Sequence, residues 1–301
     1  MTSFTRVLDA LYIKFLSENT RKTIESIVVL IAIASFIIHL LLISLADLHI
    51  LKVNDNSGLL ENPIVAIYTP FSFILIYEVY LLVYYLPKSI NKYIGKQYEI
   101  ITLIVIRRTF KDLSKLQFTS DWFNVKNDLR FTYDIIATII LFFLILVFYR
   151  LNEKKQIKTA DKNAEYTSEM LKFIGMKKVI ATCLIPLFLT MAVFNLSHWI
   201  YENFFSISQI VGTIKDVNKI FFDEFFTILI LIDVLLLLIS FLQTDQFNKV
   251  IRNSGFIIST ILIKLSFGIE GLLSTILTVA AVLIGVIILG IHNQYEKLPN
   301  S

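Results

Sequence analysis

The chain contains several uninterrupted apolar runs, each long enough to cross a lipid bilayer. Residues 24–46, 131–149, 179–200 and 271–291 are each close to the roughly 20 residues that span the hydrocarbon layer. Inside that layer every backbone N–H and C=O must be paired within its own segment, so such runs form helices. Charged residues are only 17% of the chain, whereas about a quarter is typical of soluble domains. The sequence therefore predicts an all-α integral membrane protein.

An internal repeat raises the number of predicted helices from six to eight. Hydropathy alone adds residues 62–86 and 221–242 to the four runs above. The segment 92–108 then aligns with 249–265 at a constant offset of 157 residues, and self-similarity at a fixed offset indicates duplicated structural units. Each of these two segments supplies a further, shorter helix that is interrupted by a base. The predicted spans are 24–46, 64–86, 98–117, 131–149, 179–200, 222–242, 255–268 and 271–291.

The positions of Lys and Arg orient this arrangement, because basic residues collect on the cytoplasmic side of membrane helices. With the N-terminus inside, the outer side carries only Lys52, Lys126, Arg130, Lys215 and Lys219. Because each unit has an even number of helices, the two units are predicted to be parallel repeats. We expect a four-helix unit in 1–150, a charged cytoplasmic linker in 151–178 and a second four-helix unit in 179–301. Both termini are predicted to be cytoplasmic.

Charged side chains inside the predicted helices are the candidate functional residues. Each costs roughly 2.5–3.5 kcal/mol to insert, so such residues are usually paired or face a polar cavity. At 1.5 Å per residue, Glu78 and Arg107 lie about 15 and 16 Å from the same cytoplasmic edge. Asp233 and Lys264 repeat this pattern in the second unit. We therefore predict two acid–base pairs near the midplane, Glu78–Arg107 and Asp233–Lys264.

Three further residues are secondary candidates. Arg108 follows the base of the third helix, and Tyr77 adjoins Glu78, where its hydroxyl is a candidate partner for the carboxylate. His39 in the first helix is a candidate proton relay, with a hydrogen-bonded packing role as the alternative. Asp134 lies only a few residues inside its predicted helix and is interpreted as an interfacial residue.

The sequence contains no motif typical of an enzyme or of a cofactor site. It has no GxSxG, no HExxH, no phosphate-binding loop and no acidic metal cluster. Cys183 is the single cysteine, so no disulfide can form within the chain. We predict no enzymatic activity, no cofactor, no bound metal and no nucleic-acid partner. The expected partner is the lipid bilayer, and a small ion or a second copy of the chain are further candidates.

The order of these segments resembles a known family. Four segments carry this resemblance: a helix with a central acid (73–86), a basic turn, a helix containing IxxIVxR (98–108) and the segment 131–155. Together they resemble the phosphate-starvation-inducible PsiE membrane proteins. The likeness covers about residues 20–155 and, more weakly, 177–291. Lys111 and Asp112 stand where the family has a His after the base of its third helix. The resemblance implies a tandem duplicate of a four-helix unit in the inner membrane, without an established molecular activity.

Two functional hypotheses follow. The leading one is movement of a small ion or proton along the paired charges of a multi-pass inner-membrane protein. The alternative is a non-transporting membrane protein that acts as a stress-related sensor or as an assembly or scaffold protein. Water-reachable positions of Glu78 and Asp233 would favour transport, and dry, hydrogen-bonded pairs would favour the alternative.

Overall fold

The computed structural model describes residues 3–48, 63–113, 126–159, 168–204, 217–241, 247–269 and 271–298. These described ranges are helical almost throughout and contain no β-strand. The α-helices are α1 (Ser3–Leu16), α2 (Glu18–Asp47), α3 (Tyr68–Tyr85), α4 (Ile90–Leu113), α5 (Lys126–Thr159), α6 (Ser168–Phe204), α7 (Val217–Phe241), α8 (Phe247–Gly268) and α9 (Leu272–Tyr295). A short 3₁₀ helix, Pro63–Ile67, precedes α3.

Six of these helices are long and apolar enough to cross a membrane, namely α2, α5, α6, α7, α8 and α9. The helix α3 is apolar but shorter, and α4 carries many charged and amide side chains along its length. The chain is therefore a helical multi-pass membrane protein. The helix α8, which was predicted from the repeat rather than from hydropathy, belongs to the apolar six.

Local sequence explains where several helices begin or end. The Ser17 hydroxyl accepts a hydrogen bond from the Thr20 backbone N–H at 3.2 Å, a typical N-cap for α2. Pro87 ends α3, since proline removes a backbone donor and cannot continue a helix. Gly271 precedes α9 with φ +74°, a conformation that glycine adopts without a steric penalty.

Consecutive helices pack against one another in both halves of the chain. In the first half, α2 packs on α3, α3 on α4 and α4 on α5; in the second, α6 packs on α7, α7 on α8 and α8 on α9. The halves meet where α5 packs on α9, α3 on α6 and α4 on α8 and α9. Many large apolar side chains point away from the bundle, among them Leu30 at 68% and Phe143 at 62% exposed. Exposed apolar surface of this extent is suited to contact with lipid.

Several boundaries differ from the predicted ones. The helix α4 begins at Ile90, eight residues before the predicted start at 98, because its first two turns are polar and resemble a loop in hydropathy. The helix α5 extends to Thr159 and α6 begins at Ser168. The described parts of the predicted linker are therefore helical. The helix α1 was not predicted.

Candidate functional site

The pair Glu78–Arg107 joins α3 to α4 inside the bundle. Arg107 Nη2 donates a hydrogen bond to Glu78 Oε1 at 2.6 Å, and the two side chains are only 2% and 3% exposed. The Arg107 guanidinium also lies 5.6 Å from the centre of the Phe71 ring, which adds a cation–π attraction. The structure thus brings the first predicted pair together, away from solvent.

A second ion pair, Arg108–Asp134, joins α4 to α5. Arg108 donates from Nε and Nη2 to the two oxygens of Asp134 at 2.5 and 2.6 Å, a bidentate geometry that fixes orientation as well as charge. Asp134 is buried at 3% exposed, so its side chain faces other helices; its interpretation as a residue near the membrane surface stays a prediction.

Two hydroxyl groups at the start of α9 complete this second pair. Arg108 donates to Ser274 Oγ at 3.2 Å and to Thr275 Oγ1 at 2.9 Å. The Thr275 hydroxyl in turn donates to Asp134 Oδ1 at 2.9 Å. We call these four residues, Arg108, Asp134, Ser274 and Thr275, the Arg108 clasp. It links α4 and α5 of the first half to α9 of the second half.

The two arginines reach different helices because of helical geometry. At 3.6 residues per turn, neighbouring residues point about 100° apart around the axis. Arg107 therefore faces α3, while Arg108 faces α5 and α9. A single Arg–Arg step in the sequence is enough to place two cations on different faces of α4.

Asp233 on α7 is buried at 8% exposed and faces the first half of the chain. Its carboxylate lies beside the Tyr93 hydroxyl and the Gln97 amide of α4, and the Lys177 ammonium of α6 acts on it electrostatically. Asp233 Oδ2, the Tyr93 hydroxyl and Gln97 Nε2 are buried without a completed hydrogen bond. We call Asp233, Tyr93, Gln97 and Lys177 the Asp233 cluster. The structure does not bring Asp233 together with Lys264, which lies half-buried on α8 and engages other groups.

Polar contacts also join α4 to α8 directly. The Tyr98 and Ser259 hydroxyls are 2.8 Å apart, and Thr260 Oγ1 donates to Gln97 Oε1 at 2.9 Å. Tyr98 reaches this position over Gly285 of α9, where an added Cβ would lie 1.6 Å from the Tyr98 hydroxyl oxygen. The glycine provides the space that this contact between the halves requires.

Tyr77 contacts the start of α2 rather than Glu78. Its hydroxyl donates to Glu25 Oε2 at 2.8 Å and accepts from Arg21 Nη1 at 3.3 Å. In the turn after α3, the Lys88 ammonium lies 3.8 Å from the Tyr84 ring centre, and burial lowers the pKa of Lys88. Aromatic and basic side chains together are typical of the end of a membrane helix.

His39 contacts the start of α3. Its Nδ1 is hydrogen-bonded to the Thr69 hydroxyl, and the ring is half-buried. The contact joins α2 to α3, which agrees with the packing role that was the alternative to a proton relay. His39 is not among the contacts of Glu78 or of Asp233.

Sequence reasoning set Asp134 aside and missed five members of these sites: Ser274 and Thr275 of the Arg108 clasp, and Tyr93, Gln97 and Lys177 of the Asp233 cluster. The available signal was the spacing of Tyr93 and Gln97, four residues apart and hence on one face of a helix. Lys177 aligns with Arg21 in the repeat, and it was placed at the cytoplasmic edge rather than inside the bundle.

Within the described residues, no group of three or more His, Cys, Asp or Glu side chains is arranged to hold a metal ion. No protein-family model, curated protein or solved structure matches the chain. The PsiE resemblance therefore stays a prediction, and function has to be argued from the site itself.

Proposed function

We propose that the protein is a non-transporting multi-pass membrane protein, a sensor or assembly protein whose buried charges hold its helices in one arrangement. The observation that carries this proposal is the Glu78–Arg107 pair, which is closed at 2.6 Å and almost fully buried. An ion path needs charged groups that water can reach, whereas a desolvated, hydrogen-bonded pair acts as a tie between helices. The Arg108 clasp, in which Asp134 is buried and Arg108 is 32% exposed, is also closed by hydrogen bonds and joins the two halves.

The proposed topology is eight crossings in two parallel four-helix units, with both termini in the cytoplasm and the inner membrane as the location. The matching order of helix contacts in α2–α5 and α6–α9 supports it. A labelling experiment tests it in a Cys183→Ser background, with Lys88→Cys after α3 and Lys126→Cys at the start of α5. If α4 crosses, an impermeant thiol reagent reaches the two positions from opposite sides. Labelling of both from one side would show that α4 turns back.

An ion-flux measurement tests the proposed function. Purified wild type and the double variant Glu78→Gln/Asp233→Asn are placed in liposomes, and ion and proton flux are recorded under a set membrane potential. We expect the wild type to conduct no more than protein-free liposomes. Flux that appears in the wild type and disappears in the double variant would overturn the proposal.

Movement of a proton or small ion is the second candidate function. One observation favours it, namely that Glu78 Oε2 and Asp233 Oδ2 are buried without a hydrogen-bond partner. Carboxylate oxygens of this kind inside a membrane are candidates for proton uptake. The same flux measurement decides between the two functions.

A further inference from the structure

We propose that the Asp233 cluster is a proton-binding site at the junction of the two halves, with the Asp233 carboxyl as the group that takes up the proton. This proposal goes beyond a role in helix packing and holds whether or not ions cross the membrane. It rests on the burial of the carboxyl, on the hydrogen bonds it lacks and on the residues around it.

Three polar atoms of the Asp233 cluster lie buried beside one another without hydrogen bonds of ordinary geometry. Tyr93 is 3% exposed, Gln97 0% and Asp233 8%, yet Asp233 Oδ2, the Tyr93 hydroxyl and Gln97 Nε2 have no hydrogen-bond partner. Buried polar atoms are normally bonded, and leaving one unbonded costs about 1–3 kcal/mol. Asp233 is buried without a closed ion pair, and loss of hydration penalises the charged form of a carboxyl, so its neutral, protonated form is favoured.

The neighbours of Asp233 do not suit a metal cation. Gln97 presents its Nε2 donor, since its Oε1 already accepts from Thr260 at 2.9 Å. Metal cations such as Ca²⁺ and Mg²⁺ require several oxygen ligands. Among the described side chains of this cluster, only the Asp233 carboxyl and the Tyr93 hydroxyl have an oxygen that is not already hydrogen-bonded. Lys177, which acts on Asp233 electrostatically, would also repel a second cation.

Other titratable groups face Asp233 from two neighbouring helices. Tyr93 faces Asp233 from α4 and Lys177 faces it from α6, while Arg252 of α8 acts on Lys177. No salt bridge joins the described residues Asp233 and Lys177, so their charges interact without the direct bond that closes the Glu78–Arg107 pair. The site lies between α4 of the first half and α6 and α7 of the second half. A change in its charge therefore affects the contacts between the halves.

Infrared difference spectroscopy of the protein in lipid nanodiscs tests the proposal. Spectra are recorded over about pH 5 to 9, which brackets the range in which buried acids and bases titrate. We expect a band of a protonated carboxyl to rise as the pH falls, to be lost in Asp233→Asn and to persist in the matched variant Glu78→Gln. The absence of a titrating carboxyl band in the wild type, or an unchanged band in Asp233→Asn, would overturn the proposal.

A second variant keeps the test decisive if Asp233→Asn does not fold. Tyr93→Phe retains the carboxyl and removes only the neighbouring hydroxyl. If Asp233 binds the proton, the frequency of the carboxyl band shifts in Tyr93→Phe because its hydrogen bonding changes. An unchanged frequency would refute the assignment to Asp233.

Discussion

Removing Arg107 while keeping Glu78 should destabilise the protein strongly, and the structure allows the size of the effect to be worked out. In Arg107→Gln the Glu78 carboxylate loses its 2.6 Å ion pair at a site 2% exposed, and its other oxygen already lacks a partner. Breaking a buried pair in this way typically costs about 3–5 kcal/mol. The carboxylate can instead take up a proton, which at pH 7 costs about 3.7 kcal/mol for an ordinary glutamate of pKa 4.3. Both routes lower the free energy of unfolding by about 4 kcal/mol.

The second route predicts how this loss depends on pH. If Glu78 is neutral in the folded variant and ionised in the unfolded one, the folded state binds the additional proton. The stability of the variant then rises relative to wild type as the pH falls. The change is about 1.4 kcal/mol per pH unit between pH 7 and about pH 5. The double variant Glu78→Gln/Arg107→Gln has no buried charge at either position, so it should lose less stability than Arg107→Gln alone and show no such pH dependence.

The measurement is reversible unfolding in mixed micelles with an increasing fraction of denaturing detergent, followed by circular dichroism. The matched control is Lys96→Gln, which removes one partner of the Lys96–Glu99 pair, 22% and 33% exposed. Pairs that solvent reaches contribute about 0–1 kcal/mol, so this partly exposed control should lose much less stability than Arg107→Gln. An Arg107→Gln variant no less stable than this control, or strictly additive losses in the double variant, would refute the reasoning.

Two further predictions concern contacts between the halves. Gly285→Ala should destabilise by about 1–3 kcal/mol, as overpacking does, because the new Cβ would lie 1.6 Å from the Tyr98 hydroxyl oxygen. The control Gly290→Ala, whose Cβ would meet its nearest atom at 3.9 Å, should be neutral or stabilising; equal losses in the two variants would contradict the packing argument. Thr275→Val should cost about 1–3 kcal/mol in the same unfolding assay, because Asp134 and Arg108 each lose a buried hydrogen bond. A loss that persists unchanged when Asp134→Asn is also present would exclude this coupling.

The sequence predicted the depth of the buried charges better than the direction in which they point. Counting residues from the helix ends placed Glu78 and Arg107 at one level, and the structure brings them together. The same counting placed Asp233 level with Lys264, yet Asp233 faces α4 and α6. Helices that are apolar all round have no amphipathic stripe to show which side faces the core. The rotation of α7 is therefore set by packing, which one sequence does not display.

The helix that carries Asp134 begins earlier than hydropathy predicted. The apolar run suggested a helix from 131, which put Asp134 one turn from the membrane surface. The helix α5 begins at Lys126, so Asp134 lies eight residues along it, about 12 Å from its start. Hydropathy marks where apolar residues begin, whereas a helix continues wherever its backbone hydrogen bonds are satisfied.

The helix α4 shows why hydropathy could not find the centre of this protein. It is not among the apolar helices, yet residues along it contact Glu78, Asp134, Asp233 and Ser259 on four other helices. A helix with this many polar side chains is stable in a bilayer only when other helices surround it and satisfy those groups. Its predicted counterpart α8 is the most buried of the six apolar helices. The polar side chains that lower the hydropathy of α4 are therefore also the reason that it lies in the interior. Comparison of the two halves of the sequence is what identifies it as a helix.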